Sequence, residues 1–152
     1  MADTGAEPKL VLPQLQSFYD FAIPLAWPII RFAAGWNLFV HGWGKAIVRG
    51  PGAYTKGFAE MGFDSMTTLW VWGSLGIELV GGAALILGLF TRFWAAAAAI
   101  EMAIIMGLYW SNGFAWLNRG YEYVLLWGLV CFAIALRGGG PYSLDRALGR
   151  EL

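Results

Sequence analysis

GIELVGGAALILGLFTRFWAAAAAIE, residues 76–101, sets two apolar runs on either side of GLFTR at 88–92 and gives each run one glutamate. Gly88 suits the left-handed C′ position that closes a helix. Thr91 and Arg92 restart the chain, and so short a connection forces the two helices to lie antiparallel. Carboxylates within such runs are costly in lipid and normally face the interior of a bundle. The stretch therefore reads as a membrane hairpin whose two acids, Glu78 and Glu101, point toward other helices.

The rest of the chain agrees. Of 152 residues, 59% are hydrophobic and 13% charged, against ~45–50% apolar and ~25% charged in soluble domains, and the mean hydropathy is +0.58. At ~20 residues per crossing the length holds about four membrane helices in one domain. Ten basic and ten acidic residues cancel, which excludes nucleic acid as an expected partner. A single cysteine, Cys131, leaves no intramolecular disulfide and no CxxC redox pair. A single histidine, His41, rules out bis-His haem ligation and a His-rich metal site, so no metal is expected. The N-terminal MADTGAEPKLVLPQLQSFYD lacks the basic start of a cleaved signal peptide.

These features define an all-α fold, an integral-membrane antiparallel four-helix bundle with helices at about 21–48, 67–87, 92–110 and 120–136. Residues 1–20 form a polar tail with a short interfacial helix around 14–21, residues 21–137 the transmembrane domain, and residues 138–152 a polar C-terminal tail. Pro24 and Pro28 restrict the start of the first helix to Phe21 or Pro28. The connection at 51–66 is long enough to fold over one end. Since lipid offers the backbone no hydrogen bonds, the helices must satisfy it internally and pack together. Four spans place both termini on one side with Lys9, Arg92, Arg137, Arg146 and Arg150, opposite Lys45, Arg49, Lys56 and Arg119. The positive-inside rule then makes the termini cytoplasmic.

On a helical wheel Arg31, Ala34, Gly35, Leu38, His41, Gly42 and Lys45 share an arc of roughly 120°. Three acids, Glu78, Glu101 and Glu122, stand on the other three helices. Depth estimates at ~1.5 Å per residue give a mid-membrane layer of Arg31 with Glu78 or Glu101, and an outer layer of His41, Lys45 and Glu122. Such groups form either a functional pocket or ion pairs that fix helix register. Most of the nine tryptophans fall near helix ends, as interfacial anchors do. Trp36 and Trp127 lie deeper and are candidates to line a cavity. Cys131 lies about 180° from Glu122, so an inward Glu122 would turn Cys131 to lipid or to a partner.

The chain resembles the DoxX family of small four-helix membrane proteins. The matching pieces are Arg31 with HGWGK at 41–45, GIELVGGAALILGLFTR at 76–92, GYEYVLL at 120–126 and GGGPYSLD at 138–145. Arg31, His41, Gly42, Lys45, Glu78, Gly82, Gly88, Arg92, Glu122, Ser143 and Asp145 fit the pattern, whereas Glu101 lies outside it. The resemblance implies a multi-pass protein of the bacterial inner membrane, related to subunits of thiosulfate:quinone oxidoreductase. The function expected is a subunit of a quinone-linked oxidoreductase complex. His41, Lys45 and Glu122 would then be its catalytic groups and quinone its ligand, with His41 titrating near neutrality and Lys45 donating to a developing oxyanion. Arg31, Glu78, Glu101, Trp36 and Trp127 would form the ligand-binding or ion-pair network. With no flavin, haem or CxxC motif in the chain, electrons must come from a partner. The partners expected are lipid and further membrane or peripheral subunits, or copies of the same chain. The alternatives are a structural or assembly subunit, and a small-solute or proton conduit.

Overall fold

A computed structural model describes residues 10–60, 62 and 66–151. The first nine residues of the expected N-terminal tail lie outside that set. The described chain is helical, with α1 at Gln16–Trp43, α2 at Gly52–Glu60, α3 at Thr67–Leu75, α4 at Gly82–Leu87, α5 at Thr91–Tyr109, α6 at Glu122–Arg137 and α7 at Leu144–Leu148. Two π-helical segments interrupt this α-helical series. One, Gly44–Val48, continues α1, and the other, Gly76–Gly81, joins α3 to α4. Among the described residues, three helical stretches are long and apolar enough to cross a membrane: Pro13–Val48, Thr67–Leu87 and Thr91–Asn112. The 16-residue α6 packs along α5 and is shorter, about 24 Å.

The first helix begins earlier than its prolines suggest. A 3-10 turn at Pro13–Leu15 leads straight into α1, and Pro24 and Pro28 lie inside it. The interfacial helix expected at 14–21 is therefore the first part of α1. With its π extension α1 measures about 50 Å, well beyond the ~30 Å hydrocarbon core.

Glycines let α1 and the second membrane helix touch backbone to backbone. A Cβ on Gly35 would lie 2.7 Å from the Gly82 carbonyl oxygen, and one on Gly82 would lie 2.7 Å from the Phe39 nitrogen. A Cβ on Gly42 would come within 2.8 Å of the Leu79 nitrogen. Helices that gain nothing from expelling water into lipid associate through such close packing. Ala34, Leu38, Leu85, Ala95, Ala98, Cys131 and Ile134 form the core between these helices, α5 and α6. Ile29, Phe32, Trp36, Phe93, Ile100 and Leu129 are exposed on the outside. Such a surface suits lipid and would be an aggregation hazard in water.

The C-terminal segment is an integral part of the fold, where a polar tail was expected. Arg31, which is 3% exposed, donates to the Gly139 carbonyl and, at 2.9 Å, to the Tyr142 carbonyl. The Asp145 carboxylate accepts the backbone N–H groups of Phe90 at 2.7 Å and Thr91 at 2.9 Å, at the start of α5. Its own backbone N–H donates to the Gly88 carbonyl at 2.9 Å. Gly88 closes α4 at φ +72°, and a Cβ there would meet both Ser143 and Arg31. Arg31 thus stands level with the turn at 88–91, at the end of the spans. The expected mid-membrane layer of Arg31 with Glu78 or Glu101 does not form, because the Gly139 and Tyr142 carbonyls hold the two terminal nitrogens of the guanidinium at the other end of the spans. Cys131 is 1% exposed in the core and does not face lipid.

Gly82→Ala should lower the melting temperature in mild detergent, at a cost of about 1–3 kcal/mol. The added methyl meets backbone that cannot rotate aside, and that clash outweighs the ~1 kcal/mol gain in helix propensity. A raised melting temperature would show that α1 and α4 are not in close contact.

Candidate functional site

Lys45 is the cation that meets an acid inside the bundle among the described residues. Its ammonium donates to Glu78 Oε1 at 2.8 Å and to Ser74 Oγ at 2.9 Å, with the two ionic side chains 18% and 5% exposed. Lys45 stands on one π segment and Glu78 on the other. A π turn widens the helix and rotates the downstream residues against the α-helical wheel, and such turns recur at functional sites. Glu78 and Glu101 stand ten residues from Gly88 and Thr91 respectively. That places both about 15 Å from the turn, at mid-membrane.

The layer holds two carboxyl groups and one ammonium. Lys45 is committed to Glu78, whose Oε2 has no hydrogen-bond partner among the described residues. Glu101 is 8% exposed, and neither of its carboxyl oxygens has a hydrogen-bond partner among the described residues. The Ser74 hydroxyl stands beside this carboxyl as a potential hydrogen-bond donor, short of bonded geometry, and Glu78 and Lys45 act on it through their charges. Buried polar groups without partners are rare in native proteins, and those that persist commonly serve a bound ion, water or substrate.

Glu101 borders a cavity of about 450 Å³. Lys45 and Ser74 supply its other polar lining, and Tyr54, Phe58, Trp70 and Ile104 are among its apolar walls. Ile100, Ile104 and Trp70 on its rim are exposed, so the cavity opens sideways between α3 and α5, toward lipid. The connection after the first helix supplies α2, which brings Tyr54 and Phe58 over the cavity. The Tyr54 ring centre lies 5.9 Å from Lys45 Nζ, within cation–π range. Sequence reasoning did not pick out Tyr54 and Phe58. Their i, i+4 spacing in PGAYTKGFAE was the available signal of an amphipathic helix.

The expected outer layer of His41, Lys45 and Glu122 is not assembled. His41 is exposed, on the edge of the basic stripe, while Arg31, Gly35, Leu38 and Gly42 near its centre are buried. Lys45 reaches toward mid-membrane and pairs with Glu78. Glu122 starts α6, where its Oε2 accepts the Trp116 backbone N–H at 3.2 Å and its own N–H donates to the Phe114 carbonyl at 2.9 Å. It thereby pins the loop at 110–121, in which a Cβ on Gly120 would strike three carbonyl oxygens. GYEYV does reach the first helix, but through Tyr123, whose hydroxyl accepts from Asn37 Nδ2 at 2.6 Å.

The two deeper tryptophans do not line the cavity either. Trp36 is exposed and stacks between Phe32 and Phe39, with ring centres 6.1 and 6.4 Å away. It lies about 140° around the helix from Arg31, so its depth gave no guide to its facing. Trp127 packs against the core, and its indole nitrogen has no hydrogen-bond partner among the described residues.

Apolar spans, a lipid-facing exterior and a charged cavity at mid-depth define a small helical membrane protein. The chain belongs to the DoxX family, whose model matches residues 26–111. That stretch holds the whole lining of the cavity, Lys45, Ser74 and Glu101 included, together with Glu78, and stops short of Glu122 and the C-terminal segment. No curated protein and no solved structure is significantly similar to the chain.

Lys45→Met should destabilise the fold by about 3–5 kcal/mol, because it leaves Glu78 buried and unpaired. The double variant Lys45→Met, Glu78→Gln should recover most of that loss. Unfolding titrations of the two variants check this, and equal losses in both would show that the pair is not buried.

Proposed function

We propose that this chain is the membrane-embedded subunit of a quinone-linked oxidoreductase in the bacterial inner membrane, and that the cavity beside Glu101 holds the head of a quinone-like molecule. The observation that carries the reading is Glu101 itself, a carboxyl buried at mid-membrane with no ion-pair or formed hydrogen-bond partner among the described residues, on the wall of a largely apolar cavity. The fit is chemical as well as spatial. A volume of about 450 Å³ lies within the ~300–1,000 Å³ usual for small-ligand sites, which pair apolar walls with a few polar groups. The opening toward lipid between α3 and α5 admits an apolar tail.

A quinone, when bound, supplies two-electron, two-proton redox chemistry. Lys45 offers an ammonium N–H to a ring carbonyl while staying anchored on Glu78 and Ser74. Glu101 is free to hold a proton or to accept a hydroxyl hydrogen bond. Tyr54 and Phe58 on α2 cover the cavity and keep water from the two groups. Of the three groups first expected to do chemistry, Lys45 alone borders the cavity. His41 and Glu122 have no role in this site. Electrons enter from a partner subunit. In this reading α6 completes a four-helix crossing, and the termini face the cytoplasm.

Binding of decyl-ubiquinone to the protein in nanodiscs, followed by saturable quenching of tryptophan fluorescence, tests the proposal. Glu101→Leu should weaken binding about tenfold, equivalent to ~1.4 kcal/mol, with helical content unchanged. Equal affinity in wild type and Glu101→Leu would reject the site and leave the buried charges as register pins of an assembly subunit.

A further inference from the structure

The far end of the bundle, where the C-terminal segment docks, holds a second cavity of about 530 Å³. Its walls are Ile23, Pro24 and Trp27 from α1, and Arg137, Tyr142 and Arg146 from the end of α6 and the segment beyond. Two guanidinium groups thus face one space beside an indole and a phenol.

Neither guanidinium is neutralised by a carboxylate among the described residues, and the acids nearby are already engaged. Asp145 accepts the N–H groups that open α5, and Glu151 holds Arg92 Nε at 3.3 Å and the Gly139 N–H at 2.5 Å. Arg137 lies over the Trp27 ring, 4.6 Å from guanidinium carbon to ring centre, which fixes its plane and leaves its N–H edges free.

The frame around the cavity is rigid. The Trp27 indole donates to the Gly138 carbonyl at 2.9 Å, and Arg31 holds the Tyr142 carbonyl. A Cβ on Gly140 would lie 2.4 Å from Trp27, so the loop sits directly on the indole. Tyr142 has a φ of +55°, an uncommon and strained conformation for an aromatic residue, and strain of that kind gathers at functional sites. The other wall is greasy: Ile23 is exposed and Pro24 lies beside it. Arg137 is the last residue of α6, so the cavity lies at the boundary between hydrocarbon and head groups.

Cations fixed at that boundary beside exposed apolar side chains complement an amphiphile with a negative head. We propose that this cavity binds the phosphate of an anionic phospholipid, with Arg137 and Arg146 on its oxygens and an acyl chain along Ile23 and Pro24. Guanidinium forks match phosphate geometry, and basic pockets at membrane surfaces select anionic over zwitterionic lipid. The site shares no residue with the cavity at Lys45 and Glu101 and does not depend on what binds there.

Nanodiscs made with equal parts phosphatidylglycerol and phosphatidylcholine, followed by native mass spectrometry of the lipids retained, test this. Wild type should keep phosphatidylglycerol over phosphatidylcholine by about tenfold, and Arg137→Gln, Arg146→Gln should bring the ratio to near one. Arg146→Gln alone leaves the Arg137–Trp27 stack in place and should reduce the ratio several-fold, which separates loss of binding from loss of fold. No preference in wild type, or the same preference in both variants, would overturn the proposal. Calorimetry with inorganic phosphate in detergent is the second arm. Phosphate binding without any lipid preference would assign the cavity to the free anion and overturn the lipid claim.

Discussion

The bond between Lys45 and Glu78 settles how the bundle interior is charged. An ammonium and a carboxylate near the middle of a membrane survive only together, and each is carried by a π segment that faces the other helix. Glycine makes the meeting possible. Gly35, Gly42 and Gly82 remove the side chains that would hold α1 away from the second membrane helix. Once the pair is made, the lysine is committed, and Glu101 on α5 is left as the second carboxyl of a layer with one cation.

The opposite end shows the same economy with different partners. Arg31 is as deeply buried as any charged group in the described chain, yet two backbone carbonyls hold its terminal nitrogens and no acid forms a salt bridge with it among the described residues. Asp145 in turn spends its carboxylate on the N–H groups that open α5, a use that suits the positive end of a helix dipole. The result is a clamp that ties α1, the turn at 88–91 and α7 together.

Much of this is legible in the residues. The turn at Gly88 follows from two apolar runs and a glycine, and the buried face of α1 follows from its helical period. The acids and bases stand out because lipid makes them expensive. Which base takes which acid is not legible, because three bases and three acids allow many pairings and backbone carbonyls compete for the cations. GGGP at 138–141 looks like a stop signal, and only the folded chain shows the Gly139 carbonyl closing on Arg31. His41 shares the stripe but sits at its edge, where a small rotation separates inside from outside. The π segments add such a rotation, and the residues carry no plain sign of them. The start of α1 is hidden for a related reason: prolines that would break a helix in water are tolerated in membrane helices, where neighbouring groups satisfy the freed backbone.

The central claim is that Lys45 is spent on Glu78 while Glu101 is kept for a guest. An experimental map of the protein in native-lipid nanodiscs, resolved to side chains, tests it most directly. It should show Lys45 on Glu78 and Ser74, and flat density beside Glu101 within hydrogen-bonding reach. A cavity collapsed onto protein side chains, with Glu101 bonded to one of them, would contradict the claim.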